Sequence, residues 1–234
     1  TMLVLSMGAL LLAGTLSAQT PVPEWQAGVD KVKTLIQSNP AQASEEAGEL
    51  LKGKNKKNVD LVTSVAHVYL DAGKITEAQE YLAMAKKANN KDPKVSVLEG
   101  DIALAQKNIG QACQLYEQAI YFDPNCKEAY LKYAQAYKSA SPTQAIEKLE
   151  QLKAVDPNCL EADRELAEVY YSGNRFGKAA EMYAKFIDTP LATEDDMLKY
   201  AFALFLNHDF EKSLQVAQKG LQQNARHAAF NRLV

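Results

Sequence analysis

The residues of this chain best suited to nucleophilic, redox or metal chemistry are Cys113, Cys126 and Cys159 with His67, His208 and His227. Their spacing assembles none of it. A redox pair or a zinc ribbon places two thiols two residues apart, and no Cys-x-x-Cys occurs. A metal site needs several ligands converging at fixed spacing, whereas these histidines are scattered along the chain. Glu194-Asp195-Asp196 is a dense acidic group, but it lacks the Gly-containing ligand loop of a calcium site. Carboxylates directly ahead of Met197-Leu198-Lys199-Tyr200 suit a helix N-terminus, where unpaired N–H groups and the positive end of the dipole attract them. No Gly-rich phosphate loop and no Gly-x-Ser-x-Gly elbow is present. The expectation is a non-enzymatic protein with no cofactor and no metal.

The elements that would position a binding site must therefore carry the functional argument. The 234 residues are 47% hydrophobic and 24% charged, with a formal net charge of -3. That balance excludes a charge-driven nucleic-acid binder, which must neutralise phosphates with a basic surface. Gly (11) and Pro (8) are few, and Ala, Leu, Lys, Glu and Gln dominate, which predicts helix almost throughout. Self-comparison exposes a repeat. Ala112-Cys-Gln-Leu-Tyr116-Glu-Gln-Ala119 with Asp123-Pro124-Asn125-Cys126 aligns with Ala145-Ile-Glu-Lys-Leu149-Glu-Gln-Leu152 and Asp156-Pro157-Asn158-Cys159, and again with Ala179-Ala-Glu-Met-Tyr183-Ala-Lys-Phe186. Ala78, Ala112, Ala145, Ala179 and Ser213 follow one another at 33 or 34 residues. Each unit has one apolar helical pattern, a short polar turn, and a second helical pattern.

These residues resemble the tetratricopeptide repeat family. Its first helix carries a small residue followed three places later by Tyr, and its second helix a small residue, a large partner and a close-packing residue. Here the first small residue is Ala66, Gly100, Ala134, Ala167 or Ala201, with Tyr69, Tyr137 and Tyr170 following and Ala103 and Leu204 as departures. In the second helix, Leu82, Tyr116, Leu149 and Tyr183 are the large partners, and Ala217 breaks the pattern. The resemblance implies an all-α, right-handed superhelix of antiparallel helix pairs with about six repeats. Units would start near 24, 59, 93, 127, 160 and 194, with a partial seventh from 228. The first keeps the helix pair without the motif, as an end unit does. Gly53–Asn58 is expected as a solvated loop. With repeat helices about 8–10 Å apart, Cys126 and Cys159, at one place in successive units, lie beyond the roughly 7 Å a disulfide spans. Three free thiols are expected.

The resemblance further implies that the first helices line a concave face that grips a peptide or partner protein. The candidate groove residues are His67, Asp101, Gln135, Lys138, Arg164, Glu168, Tyr171, Leu198, Phe202 and Phe205. His67 is read as a solvated groove residue. His67, Asp101, Gln135 and Glu168 occupy the places where one subgroup of the family uses Asn to clamp a C-terminal carboxylate, so that clamp is not expected. Tyr171, Leu198, Phe202 and Phe205 form an apolar inner stripe, open to a partner segment, to later repeats or to self-association.

Residues 2–16 are uncharged and mostly apolar, shorter than the roughly 20 residues of a membrane span. Followed by Ser17-Ala18, they read as a secretory signal over 1–18, cleaved after Ala18, with a retained anchor as the alternative. A short extended linker at 19–23 precedes the repeat domain at 24–234. The expected location is the periplasm or cell envelope, with no membrane span left after cleavage. The helical pattern opening at Ala228 runs to the last residue, so the chain reads as the N-terminal portion of a longer protein. The repeats are then either an interaction scaffold or the docking arm of a larger enzyme or secretion- or transport-complex subunit whose active domain lies beyond residue 234.

Overall fold

The computed structural model describes residues 22–234, so the expected signal and the start of the linker lie outside the described residues. Among the described residues every regular element is helical. In chain order the helices are α1 (Gln26–Ser38), α2 (Pro40–Leu50), α3 (Val59–Asp71), α4 (Ile75–Asn89), α5 (Pro93–Ala105), α6 (Ile109–Phe122), α7 (Lys127–Tyr137), α8 (Pro142–Val155), α9 (Leu160–Ser172), α10 (Phe176–Phe186), α11 (Glu194–Leu206), α12 (Phe210–Gln223) and α13 (Ala228–Asn231). Sequence-adjacent helices pack as antiparallel pairs, and each odd helix from α1 to α9 also meets the next odd one, giving a right-handed α-solenoid. Gly53–Lys57 folds as a 3₁₀ turn rather than an irregular loop, with the Asn55 side-chain amide donating to the Leu50 carbonyl at 2.9 Å.

Local chemistry sets the boundaries. Pro40, Pro93 and Pro142 open their helices, where a missing N–H costs nothing. Asn39, Asn58, Asp92, Asn108 and Asp209 cap helices through their side chains. Thr193 and Asp196 close a reciprocal capping box, so part of the acidic group expected at a helix start performs that task. The turn inside a repeat uses one device four times. Gly73, Lys107, Asn174 and His208 all adopt positive φ. The residue after each donates its N–H back five residues, to Tyr69, Ala103, Tyr170 and Leu204 respectively. This is a Schellman ending, which satisfies carbonyls the helix would otherwise leave unpaired.

Packing explains the small residues. Ala66, Gly100, Ala134, Ala167 and Ala201 are buried at the helix crossings, as are Ala78, Ala112, Ala145, Ala179 and Ser213. Large neighbours fill the gaps, with Tyr116, Leu149 and Tyr183 wholly enclosed. Ala217, which departs from the sequence pattern, has a structural reason. It and Gly220 leave room for Phe230 of α13, whose ring lies where a Cβ on Gly220 would be 2.5 Å away. The core runs through the stack as successive local clusters.

Candidate binding face

The first helices α3, α5, α7, α9 and α11 carry the candidate groove residues, with Lys138 at the C-cap of α7, and adjacent repeats share their polar groups. Asp101 is the densest junction. It is buried on α5, where Tyr116 of α6 donates to Oδ1 at 2.7 Å. His67 Nε2 of α3 lies 3.0 Å from Oδ2, and Lys132 of α7 donates to the same oxygen at 2.8 Å. His67 is therefore paired rather than free in the groove. Burial raises the Asp101 carboxyl, but the His67 and Lys132 hydrogen bonds, the Lys132 charge and the Tyr116 hydroxyl outweigh it and hold the group below its ordinary value. A depressed carboxyl contributes stability that is present above its unfolded value near 4 and is lost as pH falls through the folded value. Asp101→Asn is expected to flatten the acid limb of the stability curve below about pH 4, measured as the denaturation midpoint against pH. An unchanged acid limb would mean that other carboxylates set it.

Further along, Arg164 of α9 grips the buried Asp196 of α11 with two nitrogens, at 3.1 and 3.0 Å. Glu168 accepts from the Tyr183 hydroxyl at 2.8 Å and from Lys199 of α11 at 3.0 and 2.9 Å. Burial first, and then Glu168, pushes the Tyr183 phenol far above its ordinary value. Gln135 donates to Glu165 Oε1 at 2.7 Å, while Lys138 Nζ stands 4.0 Å from Oε2, a buried oxygen with no hydrogen-bond partner. Sequence reading missed Lys132, Glu165 and Lys199, which complete these contacts. Charges of opposite sign one repeat apart, such as Lys127 and Glu161 at 2.9 Å, were the available signal.

The apolar candidates divide differently. Tyr171 packs edge-on against Phe176, and Phe205 against Phe210, at centroid separations of 5.7 and 5.4 Å. Each pair spans the turn within one repeat, so both rings engage the second helix of their own unit. Leu198 is half-buried beside the cluster of Met197, Ala201, Ala217 and Phe230. Phe202 is half-buried, and Phe205 remains 44% exposed, with Leu206, Phe210 and Leu214 also exposed.

Cys113, Cys126 and Cys159 are unpaired. Burial raises all three thiols, Cys113 to about 11, so the nucleophilic thiolate is scarce at neutral pH. Among the described residues no cluster of His, Cys, Asp and Glu is placed to hold a metal ion, and no helix is long and apolar enough to cross a membrane.

Comparison with known proteins agrees with this geometry. No curated protein matches the chain in sequence. Among solved structures, PilW, a widely conserved type IV pilus biogenesis factor, superposes with a TM-score of 0.67 at 16% identity, over 89% of this chain and 97% of PilW. The pilF protein of Pseudomonas aeruginosa gives 0.64 at 16% identity, over 88% and 95%. YrrB, a repeat protein with an unusual peptide-binding site, gives 0.58 at 13% identity, over 80% and 96%. These likenesses establish the fold. A tetratricopeptide repeat model matches residues 66–126 and 135–192, just over half of the chain, and on that match and the helix pairs described above the chain belongs to the tetratricopeptide repeat family.

Proposed function

We propose that this protein is a non-enzymatic scaffold of the cell envelope that holds a peptide or partner segment on the C-terminal half of its concave face. One contrast carries the reading. Asp101, Arg164 and Glu168 are occupied with neighbouring repeats, while the half-buried Phe202 and the exposed Phe205 have apolar surface to spare. Exposed aromatic surface in a groove is what anchors a partner. His67, Asp101, Gln135, Lys138, Arg164 and Glu168 then set the shape of the groove and its polar edge, and Tyr171 and Leu198 its apolar wall. The family supports a protein-binding scaffold, and the pilus biogenesis factor among its structural neighbours supports an envelope location. On this reading residues 1–18 are a signal, 19–23 a linker and 24–234 the repeat domain. A docking arm within a larger secretion or transport complex is the second reading, supported by the same neighbours.

The test is Phe202→Ser with Phe205→Ser. Each ring is only partly covered, so the loss of stability should be less than the roughly 1.5–3 kcal/mol per ring of full burial, read as a small drop in the thermal midpoint. Capture of partner proteins from envelope extracts should be lost. Retained capture, or a collapse of the fold, would show that the rings serve the protein's own packing.

A further inference from the structure

A second surface, on the opposite side of the helix pairs near the N-terminal end, has a different chemistry. The six residues 52–57 contain four lysines and no acid. The 3₁₀ turn at Gly53–Lys57 packs on α4, which brings Lys56 and Lys57 beside Lys87. These three lysines edge an open cleft of about 380 Å³ whose floor is Ala83, Met84 and Ala88, with Glu80 the one acidic lining residue. Lys54 and Lys91 extend the patch on either flank in sequence, and all five lysines are exposed. Nearby Lys52, Lys86 and Lys94 are tied up with Glu49, Glu99 and Asp60, whereas Lys54, Lys56, Lys57, Lys87 and Lys91 form no ion pair among the described residues. In a chain of net charge -3, this is a local excess of cations that its own carboxylates do not neutralise.

We infer that this cleft docks the protein on an acidic phospholipid bilayer. Charge complementarity selects an anionic partner, and the type of cation selects among anionic partners. The patch is lysine alone. An ammonium on a flexible stem is a point charge that suits a diffuse layer of headgroups, whereas fixed carboxylates or phosphates favour the planar fork of Arg. The cleft also lacks an aromatic on which a base could stack. Its apolar floor beside a ring of ammonium groups matches an amphiphile, with phosphate at the rim and acyl carbon below. Docking through α4 leaves the concave face on the first helices free, so this inference stands apart from the reading of the groove.

Binding of the full chain to vesicles of phosphatidylcholine alone and with phosphatidylglycerol tests it. The readout is the ratio of acidic to neutral binding, in which the uncharged segment 2–16 contributes equally to both. Wild type should favour acidic vesicles, and less so as salt rises. Lys56→Gln, Lys57→Gln and Lys87→Gln together should lower the ratio roughly a hundredfold, at about fivefold per lysine. A control with Lys178→Gln, Arg226→Gln and Arg232→Gln removes equal charge from exposed sites elsewhere and should leave the ratio within about twofold, as should Phe202→Ser with Phe205→Ser. A wild-type ratio near one, or an equal loss in the cleft and control variants, overturns the assignment. Binding of polyglutamate or DNA at these lysines without preference for acidic vesicles also overturns it and makes the partner an acidic polymer.

Discussion

Gly100→Ala is expected to destabilise the protein, although alanine is the better helix former. A Cβ at Gly100 would lie 2.5 Å from the Tyr116 ring, which is fully buried and cannot swing aside. Overpacking of this kind costs about 1–3 kcal/mol, and the gain in helix propensity returns about 1 kcal/mol. A net loss of up to about 2 kcal/mol should appear as a lowered denaturation midpoint. The reason for glycine lies one residue on. Asp101 receives the Tyr116 hydroxyl at 2.7 Å, and two units later Glu168 receives the Tyr183 hydroxyl at 2.8 Å. The longer glutamate works beside Ala167, and the shorter aspartate beside Gly100. A shorter carboxylate draws the tyrosine ring closer to the first helix, where only glycine leaves space. The double variant Gly100→Ala with Asp101→Glu should therefore recover part of the loss, with a coupling of at least about 0.5 kcal/mol in a double-mutant cycle. Strict additivity, or a neutral Gly100→Ala, would sink this account.

The same pair marks the border of what the sequence reveals. The repeat and the helical fold are legible because small residues must recur wherever two helices cross, and that constraint writes a period into the chain. Ala66, Ala134 and Ala167 announce it without knowledge of any contact. What a groove residue touches is not written this way. Asp101 stands at an inward position, but its burial depends on Lys132, which lies 31 residues on, and on Tyr116, whose reach is set by the glycine beside it. The left-handed turn residue Lys107 is equally opaque, because its side chain does not favour positive φ and the Schellman ending imposes it. Phe205 has the type and spacing of a free groove aromatic. Only the fold places Phe210 against it. The lysine cleft is divided between residues 56–57 and Lys87, which no local window joins.

Removal of residues 194–234 is expected to leave a folded remainder. The ion pairs cut by this deletion are asymmetric. Asp196, wholly buried, leaves with the deleted segment, while its partner Arg164 stays and is already 35% exposed at its side chain. Glu168 loses Lys199 but keeps the Tyr183 hydroxyl and has 23% of its side chain in solvent. No buried charge is stranded, so the penalty of several kcal/mol for breaking a buried pair does not arise. What is lost is apolar cover. Tyr183 and Phe186, fully buried with α11 in place, pack in the cluster that Ala203 and Leu204 help to close. Re-exposing both rings would cost about 3–6 kcal/mol at most, and α9 continues to shield part of their surface. Because the core is a chain of local clusters, that loss falls on the last remaining repeat rather than on the whole stack. Circular dichroism of the truncated protein should retain the helical signal of α1 to α10, with a lower thermal midpoint. Loss of the entire helical signal on truncation would mean that the repeats fold only as one cooperative block.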